Sequence, residues 1–181
     1  MHPLKIIGLF LGAVALLFSG LMIVGLLLPG EWEAERNIKI GAPPEEVFPF
    51  LNSAARWEEW TPAPESGVEL FGPAEGPGSG RRWDDPGYGQ GEFVIAASEL
   101  PREIIYEVKV EDGSTLIRGR IELLGATGGT RIHWREEGDF GWNPLLGYLA
   151  SRMNELQGAQ LDASLGSLKD LIESLVRSPS G

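Results

Sequence analysis

Few side chains in this 181-residue chain have the types and spacing that chemistry requires. It contains no cysteine, which removes thiolate nucleophiles, disulfides and cysteine-based metal sites. Its two histidines are His2, ahead of a long apolar run, and His133. His133 shares a strand parity with Arg131 and Arg135, opposite Ile132 and Trp134, so it reads as part of an outer charged face rather than as a general base. Asp84, Asp85 and Glu92 surround the turn sequence Asp85-Pro86-Gly87, whose spacing matches no calcium loop. Asp139-Phe140-Gly141 spells the kinase magnesium motif, but no glycine loop with its lysine and no His-Arg-Asp segment accompany it. The glycine-rich stretches Gly72–Gly80 and Gly87–Gly91 lack the lysine and the strand-to-helix setting of a phosphate cradle. Both read as turns, one of them as a mobile cavity rim. No catalytic residue, metal or cofactor is therefore assigned.

The aromatic residues are the stronger set. Trp57, Trp60, Trp83, Tyr106, Trp134 and Trp142 have the bulk to line a pocket and polar tips to orient a ligand. Phe93, Ile95 and Ile121 are further wall candidates, with Leu149 and Met153 contributed by the last helix. Any one of these taken singly fills a core equally well. An inward acid or base, such as Glu92 or Asp84, would turn a binding cavity into a catalytic one, and the sequence shows none convincingly.

The elements that must position these residues follow from periodicity. Asn143-Pro144 opens a helix with a capping side chain and a proline in the first turn. Leucines then recur three or four apart to Val176, which predicts one long amphipathic helix over Asn143–Val176. Gly158 inside it predicts a kink or a close approach. Trp32–Ile40 alternates as a strand, and Pro43-Pro44-Glu45-Glu46 starts a short helix whose buried side is Val47, Phe48, Phe50 and Leu51. Strands are expected at Val68–Phe71, Arg81–Asp84, Glu92–Ser98, Glu103–Glu111, Thr115–Leu124 and Thr130–Gly138, with hairpin turns at Asp112-Gly113 and Gly128-Gly129. Ile104, Tyr106, Val108 and Val110 share one face, as do Ile117, Gly119, Ile121 and Leu123, and Ile132 and Trp134. The result is an antiparallel sheet with one apolar face, on which the long helix must lie.

Charge and hydropathy define the surroundings. The net charge is -11, and beyond residue 30 fourteen Lys and Arg face all 26 Asp and Glu. Such a surface repels phosphate backbones, so nucleic-acid binding is excluded. Ile6–Leu28 is 23 residues without a charge, enough to cross a bilayer, and it lacks a convincing signal-peptidase site. Residues 1–30 thus read as a transmembrane anchor, with Trp32 at the membrane interface. Lys5 ahead of the span favours a single-pass protein of the cell (inner) membrane with its domain outside the cytoplasm.

In this order, Ala42-Pro43-Pro44-Glu45-Glu46-Val47-Phe48, Trp57-Glu58-Glu59-Trp60 and Thr130-Arg131-Ile132-His133-Trp134 resemble the START/Bet v 1-like (SRPBCC) superfamily, and within it the polyketide cyclase/dehydrase-like group. The resemblance covers Trp32 to Leu175. It implies an α+β helix-grip fold, with a curved antiparallel sheet wrapped around the C-terminal helix and a cavity for an apolar ligand. Ala63 stands where members often carry a second tryptophan after Trp60-x-Pro. Residues 31–176 are thus expected to form the ligand-binding domain, and 177–181 a disordered tail. The functional expectation is a membrane-anchored binder of an apolar small molecule or lipid. A polyketide cyclase/dehydrase-like enzyme and an envelope scaffold without a ligand are the alternatives, because the fold hosts several functions.

Overall fold

The computed structural model describes residues 3–110 and 115–177. Helix α1, Pro3–Leu27, has large apolar side chains exposed from Ile7 onward and is long and apolar enough to cross a membrane. Strand β1, Glu31–Ile40, follows after three residues. Helix α2, Pro44–Leu51, begins on Pro44 with Glu45 and Glu46 in its first turn, where acids suit the exposed amides. A 3₁₀ turn, Arg56–Glu59, hangs from it: the indole of Trp57 donates to Leu51 O (2.8 Å) and that of Trp60 to Phe50 O (3.2 Å).

The remaining strands run as a meander: β2 Val68–Phe71, β3 Gly80–Asp85, β4 Gly89–Glu99, β5 Glu103–Val110, β6 Thr115–Ala126 and β7 Gly129–Asp139. They form one antiparallel sheet in the order β1-β7-β6-β5-β4-β3-β2, with β1 joining the far edge beside β7. The Asp112-Gly113 turn lies outside the described residues, as do His2 and residues 178–181; the flanking strands pair from Val110 with Thr115. Alternation sorts the faces as expected. Ile104, Tyr106, Ile121, Leu123, Ile132 and Trp134 are buried, whereas the outer side carries cross-strand ion pairs such as Arg118–Glu107 and Arg135–Glu33. His133 sits on that outer side between Glu35 and Glu122.

The C-terminal segment departs from a single helix. Helix α3, Pro144–Ala150, is capped by Asn143, whose side-chain Oδ1 accepts from Leu145 N at 3.0 Å. Helix α4, Met153–Arg177, starts only after Ser151-Arg152. The Ser151 hydroxyl donates to Tyr148 O at 2.7 Å, and Arg152 N turns to Leu149 O instead. The hydroxyl bond accompanies the break without sufficing for it, since the like bond from Ser174 to Leu171 O at 2.7 Å leaves α4 intact. The two helices serve different surfaces. Leu161, Leu165, Leu168 and Ile172 of α4 are buried in the domain core, while α3 packs on α1. Gly158 is a close approach and not a kink: a Cβ there would overlap the Arg36 guanidinium of β1. Arg36 donates to Asp162 (2.8 Å), to Asn154 Oδ1 (2.9 Å) and to Asn154 O (2.9 Å), which latches β1 to α4. Trp32 is buried against Phe140 and Gly138, so it is not the interfacial ring expected from its place after α1.

Candidate functional site

Sheet and α4 enclose a half-open cavity of about 200 Å³. Its apolar wall is an aromatic cluster centred on Trp57, whose ring lies 4.4 Å from Phe93, 4.8 Å from Tyr106 and 6.0 Å from Trp134. The 3₁₀ turn brings Trp57 there, and strands β4, β5 and β7 bring the other three. Trp83 on β3 completes the wall, and Tyr88 of the following turn stands at its rim, edge-on to Trp83.

Polar groups do enter this cavity, contrary to the expectation from sequence. Glu136 continues the inward parity of Ile132 and Trp134, and it is 6% exposed. It accepts from the Tyr106 hydroxyl in a short hydrogen bond and from Gln157 Nε2 of α4 at 2.7 Å. The Trp134 indole in turn donates to the Tyr106 oxygen at 2.7 Å, so the chain runs from Trp134 through Tyr106 to Glu136. Gly119 makes this possible. It lies between Tyr106 and Glu136 in the register, and a Cβ there would overlap the tyrosine ring. Burial pushes the Glu136 carboxyl above its ordinary range, against the opposing hydrogen bonds from Tyr106 and Gln157. Burial, reinforced by Glu136, pushes the Tyr106 hydroxyl well up, so the shared proton stays on the tyrosine.

Arg81, opposite Phe93 on β3, is the second inward charge. It is 6% exposed, and its Nε and Nη1 have no hydrogen-bond partner among the described residues. Nη2 makes a long 3.5 Å contact with Thr61, and Glu58 approaches Nη1 only to 3.9 Å. Burial lowers its pKa, with Glu58 and Tyr88 acting the other way. Buried guanidinium donors left open in an apolar cleft are suited to an oxygen on a ligand.

The expected site residues divide clearly. Trp57, Trp83, Phe93, Tyr106 and Trp134 line the cavity together. Trp60, Ile95 and Ile121 are buried in the core behind it. Leu149 and Met153 are not on it: the break at Ser151-Arg152 carries Leu149 away on α3, 38% exposed, and leaves Met153 at the start of α4. Trp142 is 92% exposed. Glu92 and Asp84 do not point inward; Glu92 pairs with Arg82 at 2.6 Å on the outer face, and Asp84 is exposed. Of the glycine-rich stretches, Gly72–Gly80 is pinned to the end of α2 through Gly76 N to Asn52 O (2.8 Å) and Ala54 N to Ser79 Oγ (3.1 Å). The rim is the Asp85–Gly89 turn, fastened by Asp85, which accepts from Ser66 on one oxygen and from Gly87 and Tyr88 on the other. A larger groove of about 690 Å³ at Glu31, Arg118 and Arg135 is open, charged and on the outer face, away from these converging groups.

Residues 31–173 match the family described as polyketide cyclase / dehydrase and lipid transport. The chain belongs to this family. No curated protein sequence matches it. Among similar solved structures, the di-domain ARO/CYC StfQ from the steffimycin biosynthetic pathway is 12% identical with a TM-score of 0.63, over 81% of this chain and 52% of that one. Ara h 8.0201 is 17% identical with a TM-score of 0.60, over 80% and 99%. An uncharacterized protein from Rhizobium leguminosarum is 18% identical with a TM-score of 0.57, over 80% and 95%. At these identities the likeness is one of fold, and the fold is the helix grip.

Proposed function

We propose that this family member binds a small, largely apolar molecule carrying one polar oxygen, in the cavity between sheet and α4, while α1 anchors it in a membrane with the domain outside the cytoplasm. The observation that carries the reading is Arg81, buried beside Trp83 and Phe93 with two donors unfilled. An apolar wall with a few placed polar groups is the usual composition of a ligand site, but about 200 Å³ lies below the roughly 300–1,000 Å³ of drug-sized sites. The ligand is therefore a compact ring system or the end of a longer lipid chain. Binding of 1-naphthoate and of naphthalene to the full chain in detergent tests this. The carboxylate is expected to bind several-fold tighter than the hydrocarbon, and Arg81→Met to erase the difference. Equal affinities in the unaltered protein would sink the reading.

The cyclase/dehydrase reading is favoured by one observation, the Glu136–Tyr106 pair in the same cavity. A carboxyl with a raised pKa can take a proton from carbon next to a ligand carbonyl and return it elsewhere. Deuterium exchange into a small aryl ketone measures that directly. The enzyme reading requires exchange above the uncatalysed rate that Glu136→Gln abolishes; no exchange leaves binding alone.

A further inference from the structure

The short helix α3 has no role in the cavity, and its outward face is unusual. From Phe140 to Ser151 the chain carries no charge, and within that stretch Trp142, Leu145 and Leu149 are 92%, 62% and 38% exposed. Three apolar side chains in water on one short element call for a cover.

The inner face of α3 is fixed to α1. A Cβ on Gly25 would overlap Pro144 O, and one on Gly147 would lie 2.9 Å from Leu28 Cβ and 3.0 Å from Gly25 O, so the two helices touch through their glycines. The Tyr148 hydroxyl donates to Leu21 O at 2.8 Å, satisfying its phenol on a backbone carbonyl of α1. Close backbone approach through small residues is how helices pack in lipid. Phe140 N also bonds Gly30 O at 3.1 Å, which ties the end of β7 to the start of β1. Thus α3 lies beside the last two turns of α1.

Depth follows from length. The apolar span Ile7–Leu27 has 21 residues, or about 31 Å at 1.5 Å each, against a hydrocarbon core of about 30 Å. No turn is to spare, so the level of Leu21 cannot be lifted out of the core. Leu21 lies six residues, or about 9 Å, inside the end of the span. Whatever packs there shares that depth.

Resting on the reading that α1 crosses the membrane, we propose that α3 is a second lipid-embedded element. In this arrangement Leu145 and Leu149 face acyl chains, and Trp142 sits at the boundary where tryptophan is favoured. Arg152, the first charge after the stretch, marks where the chain leaves the lipid. The bilayer covers the exposed face because it is continuous with the surface of α1, and the domain is clamped to the membrane by two elements rather than tethered by one.

The absence of cysteine makes the test direct. Single variants Trp142→Cys, Leu145→Cys and Leu149→Cys, each labelled with an environment-sensitive fluorophore, are placed as full chains in phosphatidylcholine vesicles. Neutral lipid avoids repulsion by the acidic domain. Leu16→Cys on α1 reports the anchor, and Thr127→Cys, in the β6–β7 turn, reports water. The three α3 probes are expected to be quenched by spin-labelled lipid several-fold more than the Thr127 probe, and protected from iodide like the Leu16 probe. Lipid quenching at Leu16 with iodide access at all three α3 positions overturns the inference and leaves the anchor standing. Protection from iodide without lipid quenching also overturns it, and assigns the face to a second copy or a protein. Failure of the Leu16 probe to meet lipid removes the anchor reading itself and the inference with it.

Discussion

Replacing Glu136 by glutamine isolates the electrostatics of the cavity. The side chain is 6% exposed, and its two hydrogen bonds, from Tyr106 and Gln157, do not offset the loss of water: its pKa stands above the ordinary carboxyl value because of burial. Between the ordinary value of about 4.3 and the raised one, the folded protein holds a proton that the unfolded chain has released. Stability therefore falls as pH rises through that window, by about 1.4 kcal/mol per pH unit for this one group, and the contribution is fully present only below the unfolded value. Glutamine keeps the shape without the titration. Its oxygen accepts from Tyr106, and the Gln157 amide can turn to accept from one of its two N–H groups; the second N–H adds a cost that does not vary with pH. The other carboxylates act on both proteins alike, so the quantity to follow is the difference between them. Urea unfolding of the full chain in detergent, read by core tryptophan fluorescence across this pH range, is the assay. The wild type should lose stability relative to Glu136→Gln as pH rises, and then level off. A parallel pair of curves, or a wild type that gains on the variant, refutes the burial account.

The latch between β1 and α4 predicts a reversal of sign. Gly158→Ala should destabilise the protein by about 1–2 kcal/mol, because the new Cβ displaces the Arg36 guanidinium from Asp162 and Asn154. In an Arg36→Ala background the same change should stabilise by up to about 1 kcal/mol, the helix preference of alanine over glycine, and a denaturation double-mutant cycle checks it. Gly119→Ala should cost about 1–3 kcal/mol by overpacking the Tyr106 ring, and by weakening the Tyr106 hydrogen bond that opposes the burial shift it should carry the Glu136-dependent loss of stability to higher pH, as the same urea series will show. Asp85 works in the opposite direction from Glu136. Its hydrogen bond from Ser66, then those from Tyr88 and Gly87, hold its pKa below the ordinary value, so its contribution is present above that value and is lost as pH falls towards the lowered one. Asp85→Asn should remove that acid-side loss in the same denaturation assay, and it should leave the rim at Tyr88 more readily quenched by acrylamide.

How far the sequence carried can be judged from individual strands. Alternation assigned β5, β6 and β7 their inward residues correctly, because a one-sided sheet permits only one parity. Continued two positions past Trp134 the same parity reaches Glu136, and two before Trp83 it reaches Arg81, and the fold buries both. A charge at an inward position near a strand end ordinarily marks the strand leaving the core, so parity alone does not identify either residue as a cavity group. Its meaning depends on register, which aligns Gly119 with both Tyr106 and Glu136 and lets the phenol reach across a strand. Register is a property of pairs of strands and is not written in either one alone.

The helix break shows a different limit. Leu145, Leu149, Met153 and Leu156 keep helical spacing across Ser151-Arg152, and no proline or glycine interrupts them there. The period is continuous although Leu145, Leu149 and Leu156 are exposed, and the two helices pack in different places: α4 on the core, α3 on α1. The two separate at Ser151-Arg152, where Arg152 N bonds Leu149 O in place of Tyr148 O. Periodicity records that a face is apolar and is silent on what the face meets. For that reason Leu149 and Met153 belonged to the cavity on spacing alone, while in the fold the first lies on α3, the helix packed on α1, and the second opens α4. The unfilled donors of Arg81 and the exposed face of α3 are therefore separate questions, one about a ligand inside the domain and one about the bilayer beside it, and each has its own experiment.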